Sequence, residues 1–503
     1  MERRHLAPGV AAFVAASLVA LVGLRATAGA PQDTPRSGTV RIQLLGINDL
    51  HGHLEPSGDL GGAAWLAAEL DRAAAADPGR TIRVHAGDLF GASPLISTYF
   101  HHRSSIEVAN RMHFDIATLG NHEFDNGGGE LSSLLRRIRF PYVTANVVDR
   151  EGKLRLPPYR IIERGGVKIG FIGVTTTTAP RYLLPRYARR FRFLDMSDSV
   201  NRWVPALRQR GVQAIVVLAH SGAFQVGGEG GRAAGEIVDE TRQMNDAVDV
   251  VVAGHTHSYL NTRVGNKLIV QAYSYGTAFD RVELTVDRRT GDVVSSSADV
   301  PRTWHTGVVP NPQVAAVVRK YAHRVGPLAN RVVAKADRGL SRERGDLGRV
   351  VAASQRSLAH ADIGVVNPGN MRDNLRSGPV TYADVCSIEA YGHPVMRMLL
   401  RGRYLRALLE QQWENGTTTR LYTSGLRYRH DGRRVTQVTD GHGREIQPDR
   451  LYSVAANELI ATGARFSVLR DYGLGKRPVG TDVQALVSYL EHHPDALRRG
   501  GSG

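Results

Sequence analysis

The chain has 503 residues, 42% of them apolar and 22% charged, which is a globular composition, excludes a wholly disordered chain and leaves room for two or three domains. Its formal net charge of +16 is carried mostly by Arg and is spread along the sequence, so it reads as a solvated face that attracts anions. No zinc-finger, helix-turn-helix or RRM pattern is present, so a nucleic-acid polymer is not an expected partner.

Arg3 and Arg4 precede an apolar run from Val10 to Leu24 and a small-x-small site at Ala26-Thr27-Ala28. This predicts a secretory signal peptide over residues 1–30 and therefore an extracytoplasmic protein, with a retained N-terminal anchor as the other reading. The run is short for a stable membrane span. Residues 31–38, rich in Pro, Gly and Ser, read as a flexible tether.

Short apolar runs then predict strands over 40–47, 81–85, 114–119, 214–218, 248–252 and 267–272. Helices are expected between them, over 62–76, 107–112, 130–137 and 197–209, the last with Val200, Trp203, Val204 and Leu207 on one stripe. Strand–helix alternation argues an α/β fold. Near residue 300 the pattern changes. Asn311-Pro312 reads as an N-cap with proline at the first helical position, opening a bridge helix striped by Val314, Val317, Val318, Tyr321 and Val325. The chain therefore divides into a first unit over 39–305, a linker over 306–335, a second α/β or α+β unit over 336–495 and a disordered tail over 496–503. Within the second unit, Thr481 is expected to cap a helix striped by Val483, Leu486, Val487 and Leu490.

The residues that follow the first-unit strands carry the chemistry. They are Asn48-Asp49-Leu50-His51-Gly52-His53, Gly87-Asp88, Gly120-Asn121-His122-Glu123-Phe124-Asp125, His220-Ser221-Gly222 and Gly254-His255-Thr256-His257. Ligands of α/β sheets bind beyond the carboxyl ends of the strands, and five successive strands deliver Asp, Asn or His there. A lone histidine at such a place is usually structural; five coincidences make a metal site. The only cysteine, Cys386, excludes both an intramolecular disulfide and a thiolate cluster, so the ligands must be oxygen and imidazole. That donor set suits Zn, Mn, Fe or Co. Asp49, His51, Asp88, Asn121, His220, His255 and His257 are too many for one tetrahedral ion and a natural number for two divalent ions sharing a carboxylate.

This series, Asp49-x-His51, Gly87-Asp88, Gly120-Asn121-His122-Glu123, His220 and Gly254-His255-x-His257, resembles the calcineurin-like metallophosphoesterases, and more closely their 5′-nucleotidase and UDP-sugar hydrolase branch. The resemblance implies an N-terminal β-sandwich flanked by helices in four layers (αββα), linked by the bridge helix to a smaller C-terminal substrate-binding domain. It implies that Asp49, His51 and His257 hold one ion, that Asn121, His220 and His255 hold the other, and that Asp88 bridges them. Many nucleotidases of the branch carry Gln where this chain has His257. It further implies that His122 faces the phosphate, with Asp125 orienting its ring, and that hydroxide generated at the metals attacks phosphorus. Read without the resemblance, Asp125 is a turn residue before Asn126, and His53, His101, His102 and His113 are surface or structural residues.

In the second unit the match is looser. Asn367-Pro368-Gly369-Asn370-Met371-Arg372 keeps the ends of a family signature, so Asn367 and Arg372 are candidate substrate ligands, with Arg342 or Arg344 as a further cation. Tyr391 stands where the family stacks a first aromatic on the base; core packing is its other reading. Leu459 stands at the second aromatic's place, which Phe466 reaches only through a shifted loop, and Gly463-Ala464-Arg465 replaces the usual Gly-Gly-Asp. The expected function is hydrolysis of phosphate monoesters, nucleotides first. UDP-sugars, 2′,3′-cyclic nucleotides, sugar phosphates or another oxyanion ester stay open, as does a catalytically silent binding protein.

Overall fold

The computed structural model describes residues 38–228, 230–416, 420–432, 434–463 and 466–498. The expected signal peptide, the tether up to residue 37, Ala464, Arg465 and residues 499–503 lie outside the described residues.

Two six-stranded sheets form the first unit. One has the spatial order Val293–Asp299, Asp280–Asp287, Thr39–Ile47, Thr81–His85, Ile116–Thr118, Tyr142–Val143. The other runs Tyr259–Val264, Lys267–Ala272, Val250–Ala253, Ala214–His220, Val167–Thr175, Tyr159–Arg164. Strands Thr39–Ile47, Thr81–His85 and Ile116–Thr118 are parallel, as are Val167–Thr175, Ala214–His220 and Val250–Ala253, so their carboxyl ends share one edge in each sheet. Their sequences are nearly continuous apolar runs because both faces are covered. The sheets face each other through Ile42, Leu44, Val84, Phe171, Val216 and Val252. Helices Ala63–Ala75, Arg103–Arg111 and Pro312–Ala329 cover one outer face, and Met196–Gln209 and Glu236–Gln243 the other. The result is the four-layer αββα sandwich.

Two helices begin earlier than apolar periodicity predicts. Arg103–Arg111 opens with Ser104 and Ser105, whose hydroxyls donate to Ile96 O (2.9 Å) and Ser97 Oγ (3.0 Å), acceptors that only tertiary packing supplies. Gly127–Leu135 uses for its first turn the glycines that read as a loop. A Cβ on Gly128 would come within 2.9 Å of the Phe191 ring, so the bare backbone is what admits that ring.

The bridge helix Pro312–Ala329 is capped by Asn311, whose side chain accepts from Gln313 N and Val314 N. Its buried stripe packs on the first unit, and Tyr321 Oη donates to Glu107 (2.9 Å). Beyond it lies a five-stranded sheet, ordered Tyr422–Ser424, Ile363–Val366, Leu451–Asn457, Pro394–Arg401, Leu474–Thr481. Helices Asp346–Leu358 and Asp482–His492 pack on one side of it, and Gly402–Glu410 and Ser467–Tyr472 on the other. Thr481 caps Asp482–His492 in a reciprocal box with Gln484. Residues 496 and 497, expected in the tail, belong to this unit, because the turn Pro494–Leu497 buries Leu497 in its core.

One core residue breaks the strand alternation. Asp280, paired with Gly46 across the sheet, is fully buried, and neither carboxyl oxygen has a hydrogen-bond partner. Burial holds its pKa well above the ordinary carboxylate range, so it keeps its proton. A raised folded pKa contributes stability that is complete below the unfolded value of about 3.9 and is lost as pH rises through the folded value. Asp280→Asn keeps the side-chain outline and removes this equilibrium. Urea denaturation is expected to show the variant gaining on the order of 1–3 kcal/mol over the wild type between pH 4 and pH 8; parallel pH profiles would refute it.

Candidate metal centre

The carboxyl ends of the parallel strands meet at one cluster. Asp49 Oδ1 lies 3.1 Å from His257 Nε2 and 3.6 Å from His51 Nε2, while Asp88 Oδ2 lies 3.0 Å from His220 Nε2 and 3.5 Å from His51 Nε2. Asn121 Oδ1 is 3.2 Å from His220 Nε2. Ligand atoms of Asp49, His51 and His257 fall within 4.8 Å of one another, as do those of Asp88, His220 and His255. Asp88 reaches His51 of one group and His220 of the other, so all seven sequence-predicted ligands converge.

The donor atoms fit divalent cations. His51 and His220 each face a backbone carbonyl through Nδ1, Gly91 O and Ala86 O at 2.9 Å, so Nδ1 donates and Nε2 points inward, where it offers a lone pair to a cation or, without one, can carry a proton. His51 Nε2 and His257 Nε2 are 3.1 Å apart. Asp49 Oδ1 and Asp88 Oδ2 are buried with no hydrogen-bond partner. Facing lone pairs beside orphaned carboxylate oxygens need positive charge between them. The electrostatics agree. Burial opposes ionisation of both carboxylates, yet the surrounding imidazoles hold their pKa values below the usual range. In return, although burial pulls His220 down, Asp88 and Asp49 lift it to about 10.

His122 stands beside this cage, with a ring nitrogen that falls within 4.8 Å of ligand atoms of His51 and Asp88 as a third such group. Its Nδ1 is 2.9 Å from Asp125 Oδ2, and its ring centroid is 5.0 Å from that of His51. Burial disfavours its charged form, but Asp125 and Asp88 outweigh burial and raise its pKa. From the second unit comes Arg372, half-buried, with Nη2 3.4 Å from Tyr275 Oη and Nη1 3.5 Å from Tyr391 Oη. Among the described residues it has no carboxylate ion pair. The Tyr391 ring lies 5.6 Å from that of His122. Tyr182, Asn367, Asn370, Tyr391, Leu459 and Phe466 line a cavity of about 50 Å³. Phe466 therefore does reach the wall shared with Tyr391, and Leu459 lines it as well. Arg342 and Arg344 do not: Arg342 donates to Met371 O (2.8 Å) and Arg344 pairs with Asp346.

A model of the calcineurin-like phosphoesterases matches residues 42–259, and one of the 5′-nucleotidase C-terminal domain matches residues 325–470. The chain belongs to the calcineurin-like phosphoesterases of the 5′-nucleotidase type. Their activity is metal-dependent hydrolysis of phosphoric esters. The chain is 31% identical to the endonuclease YhcR of Bacillus subtilis over 96% of its own length and 42% of that protein's, so it spans less than half of that relative. It is also 31% identical to the cell wall protein Lmo0130 of Listeria monocytogenes, over 93% of this chain and 69% of the other. The crystal structure of a 5′-nucleotidase precursor from Thermus thermophilus superposes with a TM-score of 0.76 at 28% identity, covering 90% of this chain and 96% of that one.

Several residues of this phosphoesterase centre escape sequence reasoning. Glu123 is buried and accepts from the backbone N–H groups of Asp88 (2.9 Å), Leu89 (2.7 Å) and Gly120 (2.6 Å), tying the loops that carry Asp88 and Asn121 together. Its place directly after His122 was the available signal. Tyr275 lies outside the motifs that the sequence singles out and His53 reads there as a surface or structural residue, yet their rings stack at 3.8 Å, and Tyr275 lies 5.2 Å from His257. His53 is no surface residue: burial, then His51 and Arg372, hold its pKa well below the ordinary value. The signal for Tyr275 was its position just past the predicted strand 267–272. His102 is buried against Phe90, whereas His101 and His113 are exposed. Asp49, His51, Asp88, His255 and His257 all have φ between 48° and 77°. Left-handed backbone in non-glycine residues costs roughly 1–3 kcal/mol each and persists where surrounding structure imposes it. Gly120 shows the crowding, since a Cβ there would fall on Asp88 Oδ1.

Proposed function

We propose that this protein is an exported two-metal phosphoesterase that removes the phosphate of 5′-nucleotides. The observation that carries this reading is Arg372, a guanidinium with no counter-ion among the described residues, set near His122 beside a cage of two carboxylates and four imidazoles. An arginine fork matches the oxygens of a phosphate dianion. Relatives named 5′-nucleotidase, in Vibrio cholerae among others, support nucleotides as the esters.

Asp49, His51 and His257 would hold one ion and Asn121, His220 and His255 the other, with Asp88 between them. Zn, Mn, Fe or Co in those positions would polarise the phosphoryl oxygens and activate a water. The chain's own residues bind and orient. Arg372 neutralises the bound phosphate. Asp125 holds the His122 Nδ1–H, which leaves Nε2–H to donate where charge builds on the phosphoryl group. Tyr391 and Phe466 give a base two apolar walls, and the Asn367 and Asn370 amides carry buried unpartnered atoms suited to ribose or base. A cavity of about 50 Å³ is smaller than ligand clefts in general, so substrate entry requires the two units to part. Residues 39–305 then act as the metal-bearing domain and 336–495 as the substrate-carrying one. Residues 1–30 act as the export signal; no helix among the described residues is long and apolar enough to cross a membrane.

The test is phosphate release from a panel of 5′-nucleotides, UDP-sugars, 2′,3′-cyclic nucleotides and sugar phosphates, with metal analysis on the same sample. Preference for 5′-nucleotides with about two ions per chain is the expected result; a flat profile would reject the nucleotide assignment. Arg372→Ala is expected to raise KM for the preferred nucleotide roughly 10- to 100-fold, the worth of a charged hydrogen bond. Metal content should not change, because Arg372 touches no proposed ligand.

A further inference from the structure

A second anion site lies away from the metal centre. Two cavities of about 640 and 580 Å³ flank the outer side of helix Asp346–Leu358 and share Ala353, Thr423, Ser424, Tyr489 and His493, which makes them one groove. Gly364 pairs with Ser424 and Val366 with Tyr422, so Ser424 to Arg427 lie toward the start of strand Ile363–Val366, the end opposite Asn367. None of the groove residues belongs to the catalytic cage or to the nucleotide cavity.

Charge along the groove has one sign. Arg349, Arg356 and Arg427 line it with no ion pair to any acid among the described residues. Its only acids, Asp346 and Asp495, are already paired with Arg338 (2.6 Å) and Arg498 (3.0 Å). His360, His442 and His492 add imidazoles. At its centre the Tyr489 and His493 rings lie 4.4 Å apart, and the Arg356 charge acts on the Tyr489 hydroxyl. Arg349 and Arg356 stand about two turns apart on one helix, and Arg427, distant in sequence, joins them on the same groove.

Repeated cations call for repeated anions, and an aromatic platform among them calls for planar rings between those anions. Phosphodiester backbones with unpaired bases offer both; inorganic polyphosphate offers no ring, and duplexes hide their base faces. We propose that this groove binds single-stranded nucleic acid. Such a site would hold a polymer beside an enzyme whose own chemistry acts on the mononucleotides released from one.

Fluorescence anisotropy with a labelled, hydrolysis-resistant 2′-O-methyl oligoadenylate of about 20 nucleotides, long enough to span the site sizes usual for single-strand grooves, tests it on the metal-loaded full chain. Arg349→Ala/Arg356→Ala/Arg427→Ala is expected to weaken binding at least about 10-fold and to lower the salt slope by about 2, at roughly 0.7 per lost phosphate contact. Tyr489→Leu is expected to weaken it about 10-fold through lost stacking. Turnover of 5′-nucleotides should stay unchanged in both, which also shows that they fold. The same strand annealed to its complement, and inorganic polyphosphate of equal charge, should compete poorly. Unchanged binding in the triple variant overturns the proposal. So does polyphosphate competing as well as the oligonucleotide together with no effect of Tyr489→Leu, an outcome that would leave a general polyanion groove.

Discussion

Asp88→Asn is expected to lower phosphate release by at least about 10³-fold and to empty both metal positions. Asp88 Oδ2 lies nearer to a ligand nitrogen of each group, 3.0 Å from His220 and 3.5 Å from His51, than Asp49 Oδ1 does at 4.0 Å and 3.6 Å. An amide there cannot supply the anionic oxygen that balances two cations, and metal-centred stabilisation of a phosphoryl transition state is worth several kcal/mol. At about 1.4 kcal/mol per decade, that loss alone accounts for the factor. The substitution keeps the Oδ1 that accepts from His122 N at 2.9 Å, so the loop is not cut loose. Metal analysis separates the explanations: a variant that retains two ions would reject the shared position of Asp88. Thermal melting in chelator should fall below that of metal-free wild type, since the variant removes one partner of the buried Asp88–His220 pair.

His122→Asn is expected to leave metal content near normal and to lower turnover about 10²- to 10³-fold, the usual effect of removing one donor that meets developing charge. One of its ring nitrogens lies within 4.8 Å of ligand atoms of His51 and Asp88. Its Nδ1 is taken up by Asp125 at 2.9 Å, whereas His51 and His220 spend theirs on backbone carbonyls and turn Nε2 inward. Metal-bound histidines use either kind of acceptor, so metal content is the deciding measurement. Loss of metal together with activity would place His122 among the ligands, and unchanged turnover would remove it from the mechanism. Because its ring also lies 5.6 Å from Tyr391, a modest rise in KM is compatible with the reading, but the larger change belongs in kcat.

The amino-acid sequence by itself determined the α/β class and the identity of the seven converging side chains, while the sandwich followed only from the resemblance that their motifs carry. Buried parallel strands leave uninterrupted apolar runs, and polar residues that must stand at their carboxyl ends interrupt those runs at the same place each time. Asp49, Asp88, Asn121, His220 and His255 are all visible in that way, and Asn311 and Thr481 were equally legible as caps because capping chemistry is local. Only the tertiary structure decided what depends on contacts distant in sequence. It placed Arg372 and Tyr391 beside His122, brought Phe466 to the cavity wall, turned His53 and Tyr275 into neighbours of the cage, and forced left-handed backbone on five of the seven converging residues. It also collected Arg349, Arg356 and Arg427 on one groove. Periodicity and capping act over a few residues and survive in the linear order; charge proximity, ring stacking and imposed strain exist only once separate segments have been packed together.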